Sequence, residues 1–151
     1  MDLILWRHAE AEDGVADTDR ALTPKGERQA RRMAKWLARR LPADTVVISS
    51  AARRARQTAR ALSGDFRTAA AIGIGADAKK ILDAAGWPDG NDATVVIVGH
   101  QPALGRAAAL ALTGKAAAWR LKKGAVMWLV WRKPGGKGEA AMHAAISPDL
   151  I

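Results

Sequence analysis

Three short apolar runs in the sequence are each followed by side chains that could carry out chemistry. Residues 3–6 are followed by Arg7-His8, residues 45–48 by Ser49-Ser50, and residues 94–98 by Gly99-His100. Continuous apolar runs of this length are typical of strands buried on both faces of a parallel sheet. Ligands bind outside the carboxyl ends of such strands. We therefore expect both histidines, and the arginines that follow the second run, to meet at one edge of a sheet.

Imidazoles among arginines suit an anionic substrate better than a metal ion. The sequence has three histidines and no cysteine, which excludes thiolate metal sites, disulfides and cysteine nucleophiles. The carboxylates near His8 in sequence, Glu10 and Glu12, stand among cations and make a poor ligand set. Neutral imidazole is a nucleophile near pH 7, and arginine binds phosphate oxygens in pairs. The pattern therefore predicts phosphoryl transfer through a histidine, with no metal and no cofactor.

The positive charge of the chain is concentrated in one segment. The chain has 24 basic and 15 acidic residues, and residues 20–60 hold 12 of the basic ones but only Glu27 and Asp44 as acids. This segment carries a net charge of +10, against +9 for the whole chain. It would attract polyanions such as nucleic acid, anionic lipid or a phosphorylated substrate, unless its arginines form a solvated helix face.

Periodicity and capping residues predict strands that alternate with helices. Thr23 and Ser50 are expected to cap the first two helices, and Pro24 to begin the first. The predicted helices cover residues 24–40, 51–62, 77–85 and 103–113, and residues 125–132 and 140–146 are predicted strands of a hairpin. We therefore expect a single α/β domain over residues 1–151, a three-layer α/β/α sandwich with a mostly parallel central sheet and a C-terminal antiparallel hairpin.

Four motifs follow one another in a fixed order over residues 2–113. They are Arg7-His8, Leu22-Thr23-Pro24-Lys25-Gly26, Arg54 three residues before Gln57-Thr58, and Gly99-His100-Gln101-Pro102. Together they resemble the motifs of the histidine phosphatase (phosphoglycerate mutase-like) superfamily. The short chain, Ala9 and the segment 19–23 resemble in particular the small SixA-type phosphohistidine phosphatases.

This resemblance implies catalytic roles for four residues. His8 would be the nucleophile that becomes phosphorylated, and Arg7 and Arg54 would bind the phosphoryl oxygens. His100 would donate to the same oxygens, which a protonated imidazole can do. The implied activity is that of a metal-independent phosphatase that dephosphorylates protein phosphohistidine, for example in a histidine phosphotransfer domain, through a covalent intermediate on His8.

The assignments around these four residues are less direct. The resemblance implies that Arg20 reaches the phosphate pocket, and we assign Gly99 to substrate binding beside it. Arg53 and Arg56 flank Arg54, and spacing alone does not choose among the three; the register of the third motif favours Arg54. Larger relatives use a general acid between the Gln57-Thr58 motif and the Gly99-His100 motif. In this chain residues 66–76 contain no carboxylate, and Asp77, which follows them, could take this role. We expect Asp77 to cap a helix.

Two other functions stand beside this one. The first is a phosphatase for small or polymeric anionic phosphates such as nucleotides, sugar phosphates or polyphosphate. The second is a polyanion-binding module with weak activity, although the scattered tryptophans do not favour nucleic acid. No segment approaches the roughly 20 apolar residues of a membrane span, and the first apolar run is short for a signal peptide. We expect a cytoplasmic monomer without membrane contact.

Overall fold

The computed structural model describes residues 1–91 and 93–151 of the chain. This part forms a six-stranded sheet with two α-helices packed on each face. The strands are β1 (Asp2–Arg7), β2 (Val46–Ser49), β3 (Arg67–Thr68), β4 (Thr94–Gly99), β5 (Val126–Arg132) and β6 (Glu139–Ile146), and the helices are α1 (Pro24–Ala38), α2 (Arg53–Leu62), α3 (Ala78–Ala85) and α4 (Ala103–Thr113).

The sheet has the mixed topology that the sequence predicts. Its strand order is β3-β2-β4-β1-β5-β6. The pairings from β3 to β1 are parallel, and those of β1 with β5 and of β5 with β6 are antiparallel. The α/β/α sandwich with a mostly parallel sheet and a C-terminal hairpin is therefore confirmed.

Both faces of the central strands are buried, which explains why they are apolar without alternation. In β1, Ile4 and Trp6 pack towards α1 and α2, whereas Leu3 and Leu5 pack towards α3 and α4. All four side chains are completely buried. Parallel strands covered by helices on both sides are typically continuous apolar runs of this kind.

The structure confirms two of the predicted helix caps. The Thr23 hydroxyl accepts the backbone N–H of Gly26 at 2.9 Å, and Pro24 is the first residue of α1. The Asp77 carboxylate accepts the backbone N–H of Lys79 at 3.2 Å at the start of α3. These bonds satisfy N–H groups that have no partner within the helix.

The predicted start of α2 is wrong. The helix begins at Arg53 instead of Ala51, because Ala52 has an extended backbone (ψ 138°) and no side chain caps the helix. Ser50 does not serve as its N-cap; its hydroxyl accepts the backbone N–H of Ala52 at 3.2 Å and is hydrogen-bonded to His100. Strand β3 is not among the predicted elements, because it is two residues long and has no periodicity to detect.

The beginning of α1 fixes the segment that follows β1. The Glu10 carbonyl accepts the Thr23 N–H, and the Glu10 N–H donates to the Gln29 side chain, both at 3.0 Å. Gly26 lies directly against this segment, because a Cβ at Gly26 would be 1.9 Å from the Glu10 carbonyl oxygen. The close approach of two backbones therefore requires a glycine here.

The described residues contain no helix that is long and apolar enough to cross a membrane.

We expect Gly26→Ala to lower the free energy of unfolding by about 1–3 kcal/mol, because the added methyl group forces α1 and the segment after His8 apart. Gly64→Ala is the matched control, since a Cβ at Gly64 meets no atom within 4 Å. Urea unfolding of both variants measures the difference. Equal stabilities would show that this contact does not hold the segment.

Candidate active site

The parallel pairing of β1 with β4 brings the two predicted histidines together. Arg7 is the register partner of Gly99, so His8 and His100 each follow the last residue of a neighbouring strand. The His8 N–H donates to the Gly99 carbonyl at 3.0 Å. The centroids of the two imidazole rings are 5.2 Å apart.

The hydrogen bonds of His8 define its tautomer. Nδ1 lies 2.7 Å from the carbonyl oxygen of Ala9, which can only accept, so Nδ1 carries the proton. Nε2 accepts the Nε–H of Arg54 at 3.2 Å. The neutral ring therefore presents its lone pair at Nε2, on the side where Arg54 lies.

Burial keeps His8 uncharged at neutral pH. The side chain is almost completely enclosed, and desolvation lowers its pKa to about 3, aided by the charges of His100, Arg54 and Arg7 and opposed by the bond to Ala9. An imidazole in this state keeps an unprotonated Nε2 over the whole physiological pH range. Such a group can act as a nucleophile.

Arg54 contacts both histidines and Asp17 at the centre of the site. It is 3% exposed. Besides His8, its guanidinium contacts His100 Nδ1 at 3.4 Å, the Asp17 carboxylate at 3.4 Å and the Asp17 carbonyl. The Thr58 hydroxyl donates to the Arg54 carbonyl at 2.8 Å and accepts the Ala9 N–H at 3.1 Å, which ties α2 to the His8 segment.

His100 is uncharged in the structure, whereas the resemblance implies a protonated ring that donates to the phosphoryl oxygens. Burial lowers its pKa to about 4, and the positive charge of Arg54 contributes to the same effect. Its Nδ1 accepts from Arg54, which leaves Nε2 to donate to the Ser50 hydroxyl at 2.7 Å. The Asp17 carboxylate opposes this shift only in part, so the ring is neutral; a bound phosphoryl dianion would raise its pKa.

The structure brings Arg7 and Arg20 to the same cavity. Arg7 donates to the Leu121 carbonyl at 2.8 Å and Arg20 donates to the Asp17 carboxylate at 2.9 and 3.0 Å. Both line a cavity of about 310 Å³ together with His8, His100 and Arg54.

Three residues around the motifs do not line this cavity. Gly99 contributes its carbonyl to the backbone of His8 and faces Leu104, so it supports the site from behind. Arg53 and Arg56 are exposed on α2 and do not line the cavity. The neighbouring position, Arg54, is the buried one of the three, in agreement with the register of the third motif.

Several residues that line the cavity are not among the predicted site residues. Asp17, Gln101 and Lys123 contribute polar groups to it, and Ile74 contributes an apolar one. Asp17 stands three residues before Arg20 in a polar segment, and this spacing is the indication in the sequence that the two side chains pair. Lys123 belongs to the stretch between α4 and β5. No helix or strand is predicted there from which the position of its side chain could be inferred.

The carboxylate in the cavity is ionised and is not a proton donor. Hydrogen bonds from Arg20 and the charge of Arg54 lower the pKa of Asp17 against the opposing effect of desolvation. Asp77, the other candidate acid, caps α3 and does not line the cavity. Within residues 1–91 and 93–151, no group of three or more metal-binding side chains is close enough to hold a metal ion.

Comparison with known families agrees with this geometry. The family described as the histidine phosphatase superfamily (branch 1) matches residues 3–73, which include His8 and Arg54. Over this part, somewhat less than half of its length, the chain is similar to the histidine phosphatase superfamily. It is 37% identical over 99 residues to an uncharacterised protein of Mycobacterium tuberculosis. That alignment covers 64% of this chain and 63% of the mycobacterial protein, which is less than two thirds of its length.

Several solved structures share the fold over nearly the whole chain. The protein named phosphohistidine phosphatase SixA from Nakamurella multipartitia is 28% identical, with a TM-score of 0.76 over 97% of this chain and 95% of that one. The protein histidine phosphatase SixA complexed with tungstate has a TM-score of 0.84 over 100% of both chains at 21% identity. A mycobacterial glucosyl-3-phosphoglycerate phosphatase has a TM-score of 0.72 at 18% identity over 99% of both chains. These last two similarities concern the fold.

The lowered pKa values predict that the protein loses stability as the pH falls. The unfolded histidines take up protons near pH 6.5, whereas folded His8 and His100 do so near pH 3 and 4. Protons therefore bind the unfolded state first, and the stabilisation present above pH 6.5 is lost progressively towards pH 4. Urea unfolding at pH 7.5 and 5.0 measures the loss, which should be smaller in His100→Asn. If NMR shows that both imidazole rings take up a proton near pH 6.5 in the folded protein, the lowered pKa values are wrong.

Proposed function

We propose that the protein is a metal-independent phosphatase that works through a covalent phosphohistidine on His8, with protein phosphohistidine as its leading substrate. The observation that carries this proposal is the state of His8: a neutral imidazole whose Nε2 lone pair faces a cation-lined cavity. The groups expected to hold a phosphoryl group line the same cavity as His8: Arg7, Arg20, Arg54 and His100.

The proposed reaction has two displacement steps. In the first, the His8 Nε2 lone pair forms a bond to phosphorus while the bond to the leaving group breaks and the leaving group keeps the electron pair. In the second, water attacks phosphorus, orthophosphate departs and the Nε2 lone pair is restored. The proton stays on Nδ1 throughout and is donated in a hydrogen bond to the Ala9 carbonyl, which stabilises the positive ring of the intermediate.

Arg54, Arg7 and Arg20 would neutralise the charge on the phosphoryl oxygens. Arg54 must exchange its bond to Nε2 for bonds to those oxygens when the substrate arrives, because both occupy the same direction from the ring. Guanidinium groups bind two phosphate oxygens at once. His100, once protonated beside the dianion, would donate from Nδ1 and keep its bond to Ser50.

Two observations support the choice of substrate. The similarity to the SixA protein of Nakamurella multipartitia extends over 97% of the chain and favours a phosphohistidine protein, such as a histidine phosphotransfer domain. The ionised Asp17 and the distant Asp77 favour a leaving group that departs without a proton from an acid.

A second candidate, a phosphatase for small or polymeric phosphates, is favoured by a strongly basic groove beside the cavity.

Hydrolysis of a phosphohistidine protein in EDTA tests the proposal directly. The wild type should release phosphate without added metal, and His8→Ala should lower the rate by more than roughly 10³-fold, because it removes the nucleophile. Circular dichroism checks that the variant is folded. Full activity of His8→Ala would exclude the covalent mechanism, and a folded but inactive wild type would favour a polyanion-binding module.

Substitutions along α2 test whether Arg54 is the phosphoryl-binding arginine. Arg54→Lys should lower kcat/KM by roughly 10²-fold, because lysine keeps the charge but loses the planar pair of donors. Arg53→Lys and Arg56→Lys are matched controls, since both side chains are exposed and outside the cavity, and should leave kcat/KM unchanged. Equal losses in all three variants would indicate a general charge effect instead.

Among the described residues, no protonated carboxylic acid lines the cavity to assist the leaving group, so we predict that the rate depends strongly on the leaving group. The enzyme should prefer p-nitrophenyl phosphate over an alkyl phosphate by roughly 10²-fold or more, because an alkoxide needs a proton to leave. Asp77→Asn should not alter this ratio. Equal rates on both substrates, or a ratio that changes in Asp77→Asn, would show that an acid participates.

A further inference from the structure

A large basic groove adjoins the catalytic cavity and is not used by the mechanism above. Its volume is about 670 Å³, more than twice that of the catalytic cavity. Seven cationic side chains line it against two carboxylates. The cationic residues apart from Arg7 come from α1 and from the stretch before β5: Lys25, Arg28, Arg32, Arg120, Lys122 and Lys123.

The groove is continuous with the catalytic cavity. Arg7 and Lys123 line both, so a ligand at His8 and a ligand in the groove would share these two side chains. A substrate whose phosphoryl group lies against His8 can therefore extend past Arg7 into the groove.

The charges of the groove are poorly balanced by the protein itself. Glu10 pairs with Lys25 at 3.2 Å and Asp149 with Lys122 at 3.5 Å. Among the described residues, Arg7, Arg28, Arg120 and Lys123 form no ion pair within 4.0 Å.

The Arg7 side chain adds an observation of its own. Its Nε is buried and has no hydrogen-bond partner among the described residues. Burial, together with the positive charge of Arg120, lowers the pKa of Arg7. An anion between the two guanidinium groups would relieve their repulsion.

The lining of the groove limits what can occupy it. It contains no aromatic side chain on which a nucleobase could stack. Its apolar members, Leu121 and Pro148, are buried and offer no anchor of the kind that folded protein partners use. What the groove offers is a row of cations in a concavity within the usual size range of small-molecule sites.

We infer that the groove is an anion-binding extension of the active site and that it binds an oligophosphate. The terminal phosphoryl group of the oligophosphate is transferred to His8. The phosphates that follow it bind Arg28, Arg120 and their neighbours. This inference rests on the proposed function of His8 and specifies the second of its substrate classes, the small or polymeric phosphates. It also fits the missing acid, because the leaving group of a phosphoanhydride is a stabilised phosphate anion that departs without a proton.

The reaction balances without any further reactant. His8 Nε2 bonds to the terminal phosphorus, and the bridging oxygen leaves with its electron pair on the shortened chain. Water then hydrolyses the phosphohistidine to orthophosphate. Each cycle shortens the oligophosphate by one unit and consumes one water molecule.

Tripolyphosphate and p-nitrophenyl phosphate are the two probes that test the groove. The wild type should release orthophosphate from tripolyphosphate in EDTA. Arg28→Glu and Arg120→Glu should each lower the ratio of kcat/KM for tripolyphosphate to kcat/KM for p-nitrophenyl phosphate at least about tenfold, because a repulsive charge replaces an attractive one at the second phosphate.

Arg31→Glu is the matched control, because it makes the same charge change on the exposed side of α1 outside the groove. It should leave the ratio unchanged. A second readout is independent of turnover: His8→Ala should bind tripolyphosphate more tightly than orthophosphate by calorimetry, and Arg28→Glu in that background should abolish the difference.

The possible failures are distinguishable. Activity on p-nitrophenyl phosphate or a phosphohistidine protein but not on tripolyphosphate would overturn the groove assignment and leave the function of His8 intact. A ratio that falls equally in Arg31→Glu would show a general charge effect and overturn it too. Losses in Arg28→Glu confined to a phosphohistidine protein would identify the groove as a protein-docking surface instead. Inactivity on every substrate would overturn the proposed function itself.

Discussion

The hydrogen bond from Arg54 to His8 is the interaction on which the rest of the site depends. A guanidinium group that is 3% exposed is costly to bury unless its N–H groups find acceptors. Here the acceptors are the two histidines and Asp17. Because Arg54 must donate to His8 Nε2, the proton of that ring lies on Nδ1. Burial, aided by the charge of Arg54, keeps both imidazoles neutral.

The backbone supplies the geometry that this interaction needs. The parallel pairing of β1 with β4 places the two histidines at one edge, and α2 rises behind them with Arg54 on its buried side. Thr58, one turn further along α2, bonds both to Arg54 and to the residue after His8. The close contact of Gly26 with Glu10 holds the other end of that segment. The position of the nucleophile is therefore determined by packing on three sides.

The parts of this site that could be predicted are those determined locally. Arg7, His8 and His100 were predictable because each follows an apolar run that is buried on both faces, and the cap at Thr23 because it needs only its own helix. Asp17 and Lys123 could not be placed, since they reach the cavity from segments without periodicity. Ser50 was assigned to a cap from its position before α2, but its hydroxyl bonds to His100, a contact between residues 50 positions apart.

The position of the phosphoryl group on His8 tests the account most directly. Rapid quenching into alkali during turnover, followed by ³¹P NMR or peptide mapping of the phosphoprotein, identifies both the residue and the ring nitrogen that carry it. Since Nδ1 donates to the Ala9 carbonyl and Nε2 faces the cavity, the account predicts phosphate on His8 Nε2 alone. Phosphate on Nδ1, phosphate on another residue, or turnover without any covalent phosphate would contradict it.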